Sequence, residues 1–286
     1  MKAGFVALVG RSNVGKSTLM NALVGTKVAI MSPKPQTTRH AIHGVLNDDR
    51  GQIVFVDTPG IFEKSQNAIT DILNKRAREA VEGVDVLVYV ADPSRPIGNE
   101  EKIVLRLIEP LKVKKILVIN KIDLYEPPYI EEFRALAPRF DQVVESSALH
   151  NNNLQVITDF LFENLPEGEP PYPDSSPNTM DQKQWISELI REKIFIQLHQ
   201  EIPYSTGVEI LEIEERKDNK NKPILFIEAN ILTNDKRHKG IIIGKGGQKI
   251  KEIGQAVRKE LELSFNRRVF VKLEVEIDEH WHERLL

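Results

Sequence analysis

The stretch Phe5-Val-Ala-Leu-Val9-Gly10-Arg-Ser-Asn-Val-Gly15-Lys16-Ser17 decides the fold. Five apolar residues in a row suit a strand buried on both faces, and two glycines followed by Lys-Ser suit a loop that turns straight into a helix. The spacing is G-x-x-x-x-G-K-[ST]. In a strand–loop–helix setting the backbone N–H groups of such a loop turn inward as a cradle for phosphate, aided by the positive end of the following helix. Gly10, Asn13, Val14, Gly15, Lys16, Ser17 and Thr18 are therefore the expected phosphate contacts. Lys16 would neutralise charge on the β- and γ-phosphates, which makes it a catalytic candidate, and the Ser17 hydroxyl would hold magnesium.

Outward from this loop, short apolar runs alternate with amphipathic ones to about residue 163. Phe5–Val9, Gln52–Val56, Val84–Val90, Lys115–Ile119 and Gln142–Val144 read as strands. Ser17–Val24, Asn67–Val81, Glu100–Glu109, Pro128–Ala137 and Leu154–Leu165 carry helical spacing. The alternation predicts an α/β domain with a mostly parallel, doubly wound sheet, which binds ligands at the carboxyl ends of its strands.

Polar groups stand at those ends. In Asp57-Thr58-Pro59-Gly60 the carboxylate can reach magnesium through water, and the Gly60 N–H can sense a γ-phosphate, a second catalytic candidate. In Asn120-Lys121-Ile122-Asp123 the Asp123 carboxylate can accept from both guanine N1–H and the exocyclic NH₂. Adenine offers no such pair of donors and would leave a buried carboxylate unpaired, so the site favours GTP over ATP. The Lys121 stem would lie along the base plane, and Ser146-Ser147-Ala148 could offer a backbone N–H to the guanine carbonyl. The polar segment Lys27–His43 holds Gln36-Thr37-Thr38-Arg39, and one of its two threonine hydroxyls would complete the magnesium shell in the triphosphate state. Thr38 is carried forward as that metal ligand and as the third catalytic candidate.

At 286 residues the chain fits two ordinary domains. A composition 41% hydrophobic and 28% charged is that of a packed globular protein. Its net charge of −3 excludes a polycation that coats nucleic acid indiscriminately, so any nucleic-acid site must be local. The absence of cysteine excludes disulfides, Cys-based zinc sites and thiol nucleophiles. The N-terminus leads directly into the first strand without a cleavage site, and no apolar stretch approaches the ~20 residues of a membrane span. A cytoplasmic protein is expected.

After Leu165, Pro-Glu-Gly-Glu-Pro-Pro-Tyr-Pro-Asp-Ser-Ser-Pro reads as a linker. Beyond it the element order becomes α-β-β-α-α-β. A helix from about Asp181 to Glu201 has Trp185, Ile186, Leu189, Ile190, Ile194 and Leu198 as its core face. Strands Val208–Arg216 and Pro223–Leu232 follow, then a helical segment broken by Gly244-Lys-Gly-Gly247, a helix to about Ser264 and a strand Arg268–Ile277. Between Lys236 and Lys272 stand eleven basic and three acidic residues, so the positive charge is concentrated here. The glycines would let a sugar-phosphate chain approach closely, and the flanking isoleucines would line a groove for unstacked bases. The expected RNA contacts are Lys236, Lys239, Ile241, Ile243, Gly244, Lys245, Gly246, Gly247, Lys249 and Lys251. The His280-Trp-His282 spacing lacks a third metal ligand and reads as a surface tail.

These boxes, with Pro35-Gln-Thr-Thr-Arg39 and the linker to a Gly-Lys-Gly-Gly domain, resemble the Era family of bacterial ribosome-assembly GTPases over essentially the whole chain. The resemblance implies a GTP-binding domain at 1–165, a linker at 166–178 and an α+β KH domain at 179–286. It also implies binding to the 3′ region of small-subunit ribosomal RNA, with the nucleotide state controlling RNA engagement. The implied partners are GTP or GDP and the small ribosomal subunit, the implied cofactor is Mg2+, and Asn13 suggests a monovalent cation, K+, that assists hydrolysis. A monomer is expected, and a peripheral contact of a basic patch with the inner membrane stays open. Ser12 departs from the family's more usual proline. Ile61 stands where signalling GTPases carry a water-orienting Gln, so slow intrinsic hydrolysis is expected, accelerated by a partner. Two rival readings are a scaffold that binds GTP without turnover and a GTPase whose basic domain contacts protein.

Overall fold

The computed structural model describes residues 1–29, 42–60, 68–173, 180–198, 202–218 and 221–281. Two compact units divide the chain, Met1–Met180 and Asp181–Leu286.

The first unit is built on a six-stranded sheet. Its strands are β1 (Lys2–Val9), β2 (Ile42–Asp48), β3 (Gly51–Asp57), β4 (Val86–Ala91), β5 (Lys114–Ile119) and β6 (Gln142–Glu145), in the order β2-β3-β1-β4-β5-β6. All pairings are parallel except that of β2 with β3. The apolar runs read from the sequence are β1, β3, β4, β5 and β6, and alternate residues feed two cores. Val6, Leu8, Ile53, Phe55, Val88 and Val118 face helices α1 (Lys16–Val24) and α5 (Leu154–Asn164). Ala7, Val9, Leu87, Tyr89, Leu117 and Ile119 lie in a second cluster with residues of α2 (Ala68–Glu79), α3 (Asn99–Ile108) and the short α4 (Ile130–Arg134). Burial on both faces is why the strands read as continuous rather than alternating hydrophobics.

Strand β2 was not expected; its first two residues belonged to the segment read as a polar loop. Ile42-His-Gly-Val-Leu-Asn-Asp is short and interrupted by Gly44, and what fixes it is pairing with β3 along its whole length. A Cβ at Gly44 would lie 3.0 Å from the Met20 sulfur, so the residue that weakens the strand signal is the one that lets α1 pack on β2.

Of the expected linker, the first residues are hydrogen-bonded to the first unit. The Ala3 amide donates to the Pro166 carbonyl at 3.1 Å, the Gly168 amide to the Met1 carbonyl at 2.9 Å, and Lys2 bridges to Glu167. Residues 174–178 lie outside the described residues.

The second unit follows the expected order. Helix α6 (Gln182–Gln197) starts at Asp181, whose side chain accepts the Gln184 amide at 2.7 Å. The sheet β7-β8-β9 (Thr206–Lys217, Pro223–Thr233, Val269–Ile277) pairs β7 with β8 antiparallel and β8 with β9 parallel. Helices α6, α7 (Lys236–Ile243) and α8 (Gln248–Phe265) bury Ile186, Leu189, Ile190, Ile194, Ile242, Ile253, Val257 and Leu261 against Leu225, Ile227, Ala229, Ile231, Val269 and Val275.

Candidate functional site

The parallel pairing of β1 with β3 and β4 sets the Gly10–Ser17 loop beside the ends of both neighbours. Within the loop Asn13 (φ 64°) and Gly15 (φ 100°) have left-handed backbones. At Gly15 a side chain is also excluded by space, because a Cβ would lie 2.3 Å from Asn120 Nδ2. Lys16, buried at the start of α1, turns its ammonium back over the loop, donating to the carbonyls of Gly10 at 3.2 Å and Arg11 at 3.0 Å. Burial pulls its pKa down to about 8, with Asp57 and Glu100 pushing the other way.

Beside it, Ser17 Oγ donates to Asp57 Oδ2 at 2.6 Å. A hydroxyl in contact with a fully buried carboxylate is the oxygen donor set a hard cation such as Mg2+ takes, with phosphate and water completing the shell. Among the described residues no group of three or more His, Asp or Glu forms an all-protein metal cage. Thr58 Oγ1 donates to the Leu8 carbonyl at 2.8 Å, fastening this turn to β1. Gly60 meets the phosphate loop directly, since a Cβ there would lie 2.7 Å from Ser12 Cα and 2.8 Å from Ser12 N. Thr37, Thr38 and Ile61 lie outside the described residues.

The Asn120–Asp123 segment is reached from β5. Asn120 is buried, and both ends of its side chain are engaged inside the protein. Nδ2 donates to the Val14 carbonyl at 2.9 Å, and Oδ1 accepts the Ala148 amide at 3.0 Å. Asn120 is thus a strut between the phosphate loop and the Ser146–Ala148 turn, and the Ala148 N–H that the sequence offered to a base is directed at it. Asp123 Oδ1 accepts from Ser147 Oγ, which fixes the orientation of the carboxylate. Lys121 (φ 64°) extends its ammonium to the Asn13 carbonyl at 2.7 Å and to Asp92 Oδ2 at 2.7 Å.

Three residues of this network escaped the motif reading. Asp92, buried just past β4, also accepts the Ser94 amide on Oδ1 at 2.9 Å. Burial pushes its carboxyl up, but the hydrogen bonds from Lys121 and Ser94 outweigh this and hold it below the usual carboxylate range. Arg11 Nε lies 2.7 Å from Glu101 Oε1, both side chains buried, while Glu101 Oε2 accepts the Gly98 amide at the start of α3. A polar residue at the end of a fourth apolar strand was the signal for Asp92.

In the second unit, Gly244-Lys-Gly-Gly247 joins α7 to α8. Gly246 and Gly247 have left-handed backbones with open space around them, and Lys245 is exposed. Lys236 and Lys251 are exposed, and Lys239 and Lys249 half-buried. The three isoleucines before the loop do not act alike: Ile241 is 51% exposed and Ile243 half-buried, whereas Ile242 lies in the core. One helical turn cannot present three consecutive side chains on one face. The opposite face of the sheet carries Glu212, Glu214, Glu228, Glu274 and Glu276 against Arg216 and Lys272. Nor is the C-terminal His-Trp-His a surface tail throughout: Trp281 is 3% exposed and covers Gly207, where a Cβ would lie 2.7 Å from its ring. His282 lies outside the described residues.

Residues 5–121 match the family described as 50S ribosome-binding GTPase, and residues 201–282 match the KH domain family. A GTPase Era from Thermoanaerobacter sp. (strain X514) is 40% identical over 285 residues, 99% of this chain and 93% of that one. Among solved structures, Era in complex with MgGDPNP and nucleotides 1506-1542 of 16S ribosomal RNA is 38% identical with a TM-score of 0.92, covering 99% of this chain and 96% of that one. An Aquifex aeolicus Era variant bound to GDP.AlF4- gives the same identity, coverage and TM-score. The chain belongs to the Era family of GTPases.

Proposed function

We propose that this GTPase is magnesium-dependent, binds the 3′ region of small-subunit ribosomal RNA through its KH domain, and serves small-subunit assembly with its nucleotide state controlling RNA engagement. The observation that carries the reading is the exposed Gly244–Gly247 loop between two helices bearing lysines, in a chain alike end to end with an Era solved on 16S ribosomal RNA. Lys16 and the amides of Gly10–Thr18 hold the phosphates; Ser17 and Asp57, joined by Thr38, would hold Mg2+; Asp123, Lys121 and Ser147 face the base, braced by Asn120, which the Ala148 N–H anchors. Gly60 supplies a backbone N–H to the γ-phosphate. The loop backbone would align the water, with Asn13 as the residue that would hold a charge-neutralising K+, so intrinsic turnover is slow until a partner orders the site.

The protein works as a monomer in the cytoplasm. The basic face of α7 and α8 is also the one that a peripheral contact with the inner membrane would use, and competition between RNA and anionic vesicles separates the two. The test is an RNA titration at several salt concentrations with a single-stranded copy of the ribosomal 3′ end. Wild type should bind with a steep salt dependence, and Lys245→Asp with Gly246→Asp should abolish binding while GDP affinity stays unchanged. Equal RNA affinity in that variant overturns the assignment.

A further inference from the structure

We propose that Asp92 is a positioning residue for guanine recognition, acting through Lys121. It rests on the reading of Lys121 as the apolar bar beneath the base. The Lys121 ammonium is held between two acceptors, the Asn13 carbonyl of the phosphate loop and Asp92 Oδ2, each at 2.7 Å. With its head pinned at both, the four-carbon stem is drawn straight from the end of β5 towards the phosphate loop. A lysine stem is otherwise one of the most mobile side chains, and its rotamer entropy would be lost each time a base settled on it. Asp92 removes that cost before the nucleotide arrives, which is preorganisation.

Asp92 is itself fixed. Its Oδ1 accepts the Ser94 amide at 2.9 Å, so Oδ2 is the oxygen presented to Lys121, and its own carbonyl lies 3.5 Å from an Arg11 guanidinium nitrogen. Arg11 pairs in turn with Glu101 of α3. One buried carboxylate past β4 therefore ties the base-reading lysine to both ends of the phosphate loop's first turn, which explains an acidic residue 4% exposed at a strand end that touches no ligand-binding motif in sequence.

The Asp92→Asn variant tests this. The Ser94 N–H keeps the asparagine oxygen on its side, so the variant turns an NH₂ towards the Lys121 ammonium, donor against donor. The Kd for GDP and the KM for GTP should rise together, ~30-fold, while kcat at saturating GTP stays within two-fold, because the γ-phosphate end is untouched. Lys121→Met, which keeps the stem and deletes the head, should cost about the same, and the double variant no more than either alone. If Lys121→Met binds GDP like wild type, the reading of Lys121 fails. If Lys121→Met is impaired but Asp92→Asn is not, or if the two losses multiply, or if Asp92→Asn lowers kcat rather than raising KM, the positioning role of Asp92 is overturned.

Discussion

Gln52 and Tyr172, 120 residues apart, exchange two hydrogen bonds: Gln52 Nε2 donates to the Tyr172 carbonyl at 2.8 Å, and the Tyr172 amide donates to Gln52 Oε1 at 3.0 Å. A side-chain amide here does what a neighbouring strand's backbone would do, pairing with both polar groups of one residue. Gln52 is 1% exposed and donates further to Asn47 Oδ1 at 2.8 Å on β2. Together with the contacts of Pro166 and Gly168 to the N-terminus, it fastens the chain leaving α5 to the ends of β1 and β3 remote from the phosphate loop.

Replacing Gln52 by Ala should therefore loosen residues 166–172 without touching the nucleotide. Losing the pair at a buried position should cost ~1–3 kcal/mol of stability. Thermal unfolding and amide exchange at Tyr172 check this; slow exchange at Tyr172 in the variant would contradict it, as would a weakened GDP affinity.

Gly60→Ala forces a Cβ to within 2.7 Å of Ser12 Cα, backbone against side chain, with no flexible end to give way. The turn must withdraw from the phosphate loop, taking the Gly60 N–H with it. Hydrolysis should fall ~10²-fold, the scale of losing one preorganised donor to a developing charge. GDP, which lacks the γ-phosphate, should bind as before. Single-turnover hydrolysis alongside GDP titration separates the two.

Asn120→Ala removes a strut that spans Val14 and Ala148. Two loops lose their common brace and a buried carbonyl and amide lose their partner, so GTP and GDP affinities should both fall, by ~10²-fold or more. Isothermal titration with each nucleotide tests whether the losses are equal, as expected for a brace that touches neither γ-phosphate nor metal.

The pH dependence follows from Lys16. In the nucleotide-free protein its pKa is about 8, below the 10.5 of an exposed lysine. Between those values the unfolded chain binds more protons than the folded one, so this group makes the nucleotide-free protein more stable as pH rises from 8 towards 10.5. Binding runs the other way. Phosphate favours the charged ammonium, so nucleotide affinity should be flat below pH 8 and fall above it, by up to ~10-fold per pH unit, with proton uptake on binding. Calorimetry in two buffers of different ionisation enthalpy measures that uptake; none at pH 8.5 would contradict the assignment.

The phosphate loop and three further strand ends were legible in the sequence because each is a local pattern: a continuous apolar run followed by a fixed spacing of polar residues. What was not legible depends on neighbours distant in sequence. Asp92 matters because β4 and β5 pair in parallel with Ala91 opposite Ile119, which sets it beside Lys121; the polar end of an apolar run marks the position in Val-Ala-Asp-Pro, but not its partner. Gln52 looked like the polar start of a strand, and its function resides in Tyr172. Trp281 stood in a polar tail, and its burial depends on Gly207 offering a flat backbone on β7. Ile242 shows the converse, since helical geometry alone separates it from its two neighbours.

The second unit sets lysines on one side and glutamates on the other, and this makes it a molecular compass. Near any polyanion the α7–α8 side is drawn in and the outer face of β7–β9 is turned away, so the unit is oriented before it touches anything. A strand cannot wrap around it, and a reversed docking is repelled before contact. Five carboxylates that outnumber the Arg216 and Lys272 they share that face with therefore restrict the angles from which the basic loop can be approached, and aim follows from repulsion as much as from attraction.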